Sequence, residues 1–296
     1  MEFLTGTAAG GALDRTARLI QRIIQERRLV DVPIAVVNKV GGGGAVSWAY
    51  INQRPGDGHY LSVTSIVLMT NRITGANPIT YTDLTPIVQL MAEYQAIAVP
   101  ADSPFKTGKD LINRLRADPT SVSFGLGTSL GGSTHTTIAM VVMAAGGIDV
   151  KKLRFAVFKS GGESAVAMLG GHVDVVASSA NNYVKLVEAG KVRILGVAAP
   201  QRLGGQFANI PTWREQGVDA VFANWRGIAG PKGLKQEQIA YWEEVFAKVV
   251  EADEWKQQLE RNLSVPTFMR HKETMAFLES NYREMRTILS ELGLAK

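Results

Sequence analysis

The chain has 296 residues, of which 46% are hydrophobic and 20% charged, enough apolar material for a sizeable core and too much for a disordered chain. At about 150 residues per domain, this length suggests two domains. The 30 glycines follow no strict period, which excludes collagen, and the lack of cysteine excludes disulfide scaffolds, thiolate metal sites and cysteine nucleophiles. The net charge of +5 and a pI near 9.4 favour anionic partners without requiring nucleic acid.

The chain opens with a short predicted strand, Glu2 to Leu4, and a glycine-containing loop. A helix follows, because Leu13, Ala17, Ile20 and Ile24 fall on one face. Pro33 to Asn38 reads as a buried strand, Gly41 to Gly44 break the chain, and Ala45 to Asn52 form a helix. Pro55 to Gly58 is a turn by residue chemistry, and Tyr60 to Thr64 the next strand. Ile87 to Met91 and Ala96 to Val99 read as two more strands. Helices over 109–116, 134–145, 163–169 and 182–189 then alternate with strands over 122–125, 153–156, 173–177 and 192–197. Irregular chain from Ala199 to Gly217 leads to a strand over Trp225 to Ala229, and helices fill the rest.

Short apolar runs alternating with helices predict an α/β protein with mostly parallel sheets. Irregular crossings near Val99 to Ser103 and Phe222 to Trp225 bracket a middle unit. The expected organisation is therefore one lobe of residues 1–99 plus 224–296 and an inserted lobe of 100–223, with a ligand cleft between them. No internal repeat of fixed period is visible. No run of about 18 apolar residues predicts a membrane span. MEFLTGTAAGG lacks the basic and apolar regions of a signal peptide, so the protein is either cytosolic or its signal peptide has been removed.

Two loops carry the chemistry. Thr7-Ala8-Ala9-Gly10-Gly11 joins a strand to a helix, where small residues expose backbone N–H groups and the helix dipole adds positive potential: an anion cradle, or a plain turn needing glycine. Gly127 to His135 occupies the equivalent place in the second unit. Two such loops, one per lobe, could face each other across the cleft.

Other readings compete. Gly127-x-Ser129-x-Gly131 matches a nucleophile elbow, with Asp174 or Asp219 and His271 following in hydrolase order, but no oxyanion motif accompanies it. Gly127 to Thr134 imitates a P-loop with Ser133 in place of the lysine, and the Gly41 loop lacks the third glycine of a dinucleotide fingerprint. His59, His135, His172 and His271 show no metal-ligand spacing, so no metal and no cofactor are expected. His135, at a predicted helix N-terminus, reads first as a neutral histidine tying down its loop. Arg15, Arg18, Arg22, Arg27 and Arg28 read as a solvated helix face rather than a nucleic-acid stripe, and Trp225 as core or cleft wall.

The segments AAGGALDRTAR (8–18), VVNKVGGGGAVSWAYI (36–51), PGDGHYL (55–61), VPADSPFKT (99–107), SFGLGTSLGGSTH (123–135), GGHVDVV (170–176), GKVRILGVAAPQR (190–202), IPTWREQG (210–217) and WRGIAGPKG (225–233) stand in one order along nearly the whole chain. In these the chain resembles the substrate-binding proteins of the tripartite tricarboxylate transporter family, the TctC or Bug-type periplasmic receptors. The resemblance implies a two-lobe type II periplasmic-binding-protein fold with two hinge crossings. It also implies a ligand carboxylate held by both loops, largely through backbone N–H groups and ordered water. Carried over, loop one supplies Ala8, Ala9, Gly10, Gly11 and Asp14, and loop two Thr128, Ser129, Gly132, Ser133 and His135. Ser65, Phe158, Lys159, Ser160 and Ser178 fall at other strand ends facing the cleft. The chain departs from the family's common proline at Ala9, threonine at Leu13, arginine-proline-glycine at Lys39-Val40-Gly41 and tyrosine at Phe158, which removes two polar contacts.

The implied function is that of a monomeric periplasmic receptor, not an enzyme, which closes on a small organic carboxylate and delivers it to membrane permease subunits. A receptor feeding a sensor kinase would look the same, and a hydrolase using Ser129 is the rival class. A transcription-factor effector domain would need a preceding DNA-binding helix-turn-helix.

Overall fold

A computed structural model describes residues 1–127 and 130–296. The first unit runs β1 (Glu2–Thr5), α1 (Ala12–Glu26), β2 (Ala35–Asn38), α2 (Ala45–Asn52), β3 (Tyr60–Ser65), α3 (Val67–Ile73) and into β4 (Thr85–Pro100). The second holds α4 (Gly108–Ala117), β5 (Ser123–Leu126), α5 (Ser133–Ala145), β6 (Arg154–Val157), α6 (Gly161–Leu169), β7 (Val175–Ser179), α7 (Val184–Glu188) and β8 (Val192–Val197). The chain returns through β9 (Ala223–Gly230) to α8 (Gln236–Val250), α9 (Asp253–Arg261), β10 (Val265–Met269) and α10 (His271–Glu291). No helix among the described residues is long and apolar enough to cross a membrane.

The two units repeat one topology. β1 lies between β2 and β3, all parallel, and β3 meets antiparallel β9. β5 likewise lies between β6 and β7, all parallel, and β7 meets antiparallel β4. β1 and β5 are thus the strands at which each unit's order reverses, where the crevice outside the carboxyl ends of open α/β sheets binds ligands. Helices flank the curled sheet, which reads β2-β1-β3-β9-β4-β7-β5-β6, with β8 and β10 also on β4. The repeat is one of topology and backbone, which is why no periodic sequence announces it.

Three differences from the sequence reading have physical causes. The two strands expected within 87–99 are one strand, β4, whose partner changes from β9 at Tyr94 to β7 and β8 from Gln95 and Ala96. Its polar residues Gln89, Glu93 and Gln95 do not interrupt it because each finds at least one partner on a neighbouring strand. Glu93 pairs with Arg226, and the Gln95 amide donates to Ser179 Oγ at 3.2 Å. Next, α3 was not expected, because seven residues are too few to display a helical period. Finally, the tail is not all helix: β10 pairs with β4 and carries Pro266, as edge strands tolerate.

α1 buries Ala17, Ile20, Ile23 and Ile24 in one core cluster with Phe3, Leu61 and Val63 of β1 and β3. α5 is buried along most of its length and packs on β7 and α10. α10 also packs on α3 and β4, so the last helix ties the two units together. Trp225 is core: it is 1% exposed and donates its indole N–H to Asn281 Oδ1 at 3.1 Å.

Candidate functional site

The loops after β1 and β5 make the same backbone turn. Gly10 is left-handed (φ 79°) and is followed by extended Gly11 (φ −68°, ψ 167°), the N-cap of α1. Gly131 is left-handed (φ 77°) and is followed by extended Gly132 (φ −74°, ψ 177°), the N-cap of α5. The left-handed position requires glycine. Neither N-cap glycine has a side chain to cap its helix, and both loops stand at the positive end of a helix dipole.

In both loops the third helical residue reaches back to the left-handed glycine. Asp14 Oδ2 accepts from the Gly10 N–H at 2.8 Å, and His135 Nδ1 accepts from the Gly131 N–H at 2.9 Å. Asp14 is 1% exposed, yet its carboxyl lies below the usual range. Burial raises it, but hydrogen bonds from Arg18, Asn38 and Gly10 outweigh that. His135 is buried edge-on against Phe155, and burial lowers its pKa to about 4. It is therefore neutral at pH 7, with its acceptor nitrogen engaged in the loop. Loop one is thus tied by an anion and loop two by a neutral ring.

The other expected residues lie in the loops themselves or at the ends of the neighbouring strands β3, β6 and β7, with their polar atoms partly engaged. Ala8 and Ala9 are exposed, and the Ala8 carbonyl accepts from Gly11 N–H. Ser133 opens α5. The Phe158 N–H donates to the Leu126 carbonyl. The Lys159 N–H donates to Glu163 Oε2, and Ser160 caps α6 by accepting from the Glu163 N–H. Ser178 is buried and accepts from Asn182 Nδ2 at 2.8 Å, and Ser65 is buried opposite Arg226. Thr128 and Ser129 lie outside the described residues. Asp174 is held by Ser123, Asp219 by Arg214, and His271 Nδ1 lies 2.6 Å from the Pro86 carbonyl, so neither aspartate serves His271.

Sequence reading missed the supports beneath the loops. Asn38, at the end of β2, donates to both the Thr7 carbonyl and Asp14 Oδ1. Its signal was a polar residue closing a strand that lies parallel to β1, in register with Thr5. Gly6 and Gly127, the residues just past β1 and β5, each back onto another glycine. A Cβ on Gly6 would lie 2.5 Å from Gly44 Cα, and one on Gly127 2.5 Å from Gly161 Cα. Because backbone obstructs backbone, Gly127→Ala is expected to destabilise the protein by about 1–3 kcal/mol. A urea-unfolding midpoint equal to wild type would refute that close approach.

Loop two also meets the first unit. A Cβ on Gly131 would touch Leu294, just beyond α10, and Thr74, just beyond α3, each at 3.5 Å. The first helix's arginines are exposed, as expected of a solvated face, and some are also engaged: Arg18 pairs with buried Asp14, Arg27 with Glu254 and Arg15 with the Gly10 carbonyl, while Arg15, Arg18 and Arg22 line a cavity.

Comparison with known proteins agrees with this architecture. The chain is 27% identical over 297 residues to the UPF0065 protein in the gbd 5′ region of Cupriavidus necator, covering all of this chain and 88% of the relative. A TctC solute-binding protein from Polaromonas superposes with a TM-score of 0.84 at 25% identity, covering 99% of this chain and 98% of that one. A Rhodopseudomonas palustris protein with adipate superposes with a TM-score of 0.80 at 21% identity, covering 100% and 97%. The family model of the tripartite tricarboxylate transporter family receptor, TctC, matches residues 17–294. With that match across nearly the whole chain and two strand-to-helix glycine loops of one geometry, this protein belongs to the tripartite tricarboxylate transporter receptor family.

Proposed function

We propose that this chain is an extracytoplasmic solute receptor that holds a small organic carboxylate between its two glycine loops and hands it to the permease of a tripartite tricarboxylate-type transporter. The observation that carries the reading is the repeated turn, left-handed Gly10 or Gly131 followed by an uncapped glycine N-cap. Each presents N–H donors at a helix N-terminus with no Arg or Lys in the loop, which suits a carboxylate approached closely by backbone. The relative with adipate supports this ligand class.

In this reading Asp14 and His135 shape the loops rather than touch the ligand. Gly11, Gly132 and Ser133, with Ala8 and Ala9, face it, and Thr128 and Ser129 complete loop two. Ser65, Phe158, Lys159, Ser160 and Ser178 line the remaining strand ends. Residues 1–99 with 224–296 form one lobe and 100–223 the other, a division supported by the change of partners along β4. The receptor works as a monomer, and ligand closes the lobes by rotation at the crossings.

A thermal-shift panel of adipate, malate, citrate, glutamate and benzoate tests the reading, using protein unfolded and refolded in urea to remove bound ligand. At a concentration 100-fold above Kd a ligand adds about 2.7 kcal/mol, a rise of several degrees. Gly10→Val should weaken that ligand at least tenfold, because its left-handed turn rejects a β-branched residue while no atom lies near enough to clash. Undiminished affinity in both Gly10→Val and Gly131→Val would remove the two-loop site.

A further inference from the structure

The cavity lined by the α1 arginines, of about 350 Å³, lies between α1 and α9 and reaches the crossing strand β4. Its volume falls within the range of small-molecule sites. None of the loop glycines lines it. Arg15 and Arg22 stand along α1, one side of the cavity; Arg15 donates to the Gly10 carbonyl, and no carboxylate among the described residues forms an ion pair with Arg22. Trp255 of α9 is 1% exposed, yet its indole N–H has no partner among the described residues. Asn181, which follows β7 in the other lobe, lines the cavity and leaves Oδ1 buried without a donor. Glu93 of β4 gives only Oε2 to Arg226. Leu259 adds an apolar wall.

Buried polar atoms without partners are rare in folded proteins and call for an explanation. Here an orphan donor and an orphan acceptor belong to residues lining one cavity, together with Arg22, which forms no ion pair among the described residues, and Glu93. We propose that this cavity is a second ligand site, separate from the two loops, for a small carboxylate bearing a hydrogen-bond donor at its other end. The carboxylate accepts from the Trp255 indole N–H and the Arg22 guanidinium, while Arg15, whose guanidinium donates to the Gly10 carbonyl, stands at the edge of the cavity nearest loop one. The hydroxyl or ammonium donates to Asn181 Oδ1 and Glu93. Because Asn181 comes from one lobe and α1 and α9 from the other, the site straddles the seam. Its occupancy is thereby coupled to the lobe angle, and reciprocally to occupancy of the loops.

Isothermal titration calorimetry on the full chain, unfolded and refolded to remove bound ligand, tests this with L-malate, L-glutamate and succinate as probes. Malate covers the hydroxyl case, glutamate the ammonium case, and succinate lacks the donor. Malate or glutamate should bind at the seam at least tenfold more tightly than succinate. Arg22→Ala, at an exposed position, and Trp255→Phe should each weaken that binding at least tenfold, with loop binding retained. Gly131→Val should do the reverse. A probe that binds only in a manner abolished by Gly131→Val overturns the second site and leaves the loop reading standing. Binding abolished by Arg22→Ala but indifferent to Gly131→Val and Gly10→Val supports the second site and removes the loop reading. No binding sensitive to Arg22→Ala or Trp255→Phe, or equal affinity for succinate, overturns the proposal.

Discussion

Acidification from pH 7 to pH 4 is expected to cost the fold about 3 kcal/mol through His135 alone. The ring's pKa falls from 6.5 to about 4 on folding because it is buried, and each unit corresponds to about 1.4 kcal/mol. Between these values the unfolded chain holds the proton and the folded chain does not, so stability rises with pH across this window. The contribution is intact above about pH 7, is lost progressively from pH 6.5 to pH 4, and falls no further below that. The local cause is specific, since a protonated Nδ1 cannot accept from the Gly131 N–H, and loop two loses its tie. Urea-unfolding free energies at pH 7, 6, 5 and 4 measure the effect. His135→Gln, which keeps an acceptor but does not titrate, should decline less by that amount. Parallel curves for the two proteins would show that another group carries the pH dependence.

The second large effect concerns the crossing strands. Arg226 and Glu93, 5% and 14% exposed, form an ion pair between β9 and β4 at 3.1 Å. Arg226 also donates to the Asn224 and Trp225 carbonyls and to Asn224 Oδ1. Removing one partner of a buried pair leaves an uncompensated charge, so Arg226→Met is expected to cost about 3–5 kcal/mol. Adding Glu93→Gln should restore much of the loss, because replacing both partners of a buried pair is far less costly than breaking it. A double-mutant cycle read by urea unfolding checks this. A double variant no more stable than Arg226→Met would mean that packing of the long side chain, rather than charge, is what the arginine supplies.

The two glycine loops and the cavity between α1 and α9 differ in how far they could be read in advance. Gly10-Gly11 and Gly131-Gly132 were visible as loops between a strand and a helix, because an apolar run, a glycine pair and a helical period are all local signals. The support beneath them was not. Asn38 reaches Asp14 from 24 residues away, and Gly6 meets Gly44 only because α2 follows the neighbouring strand. The cavity between α1 and α9 was wholly invisible: Arg22, Asn181 and Trp255 are far apart in the chain, and the arginines read as a solvated face. The split of β4 into two expected strands has the same origin, since Glu93 and Gln95 look like interruptions until Arg226 and Ser179 are placed beside them.

The chain by itself determined the alternation of strands and helices, the positions of both glycine loops and, through nine ordered segments, the receptor family. These depend on period, on turn chemistry and on residues adjacent in sequence. Only the tertiary structure decided that the two loops are copies of one turn, that Asp14 and His135 face inward to tie them, and that a buried ion pair joins the crossing strands. Each of these depends on which strand lies beside which. That choice is made by burial of apolar faces over the whole chain, and no local stretch of sequence encodes it.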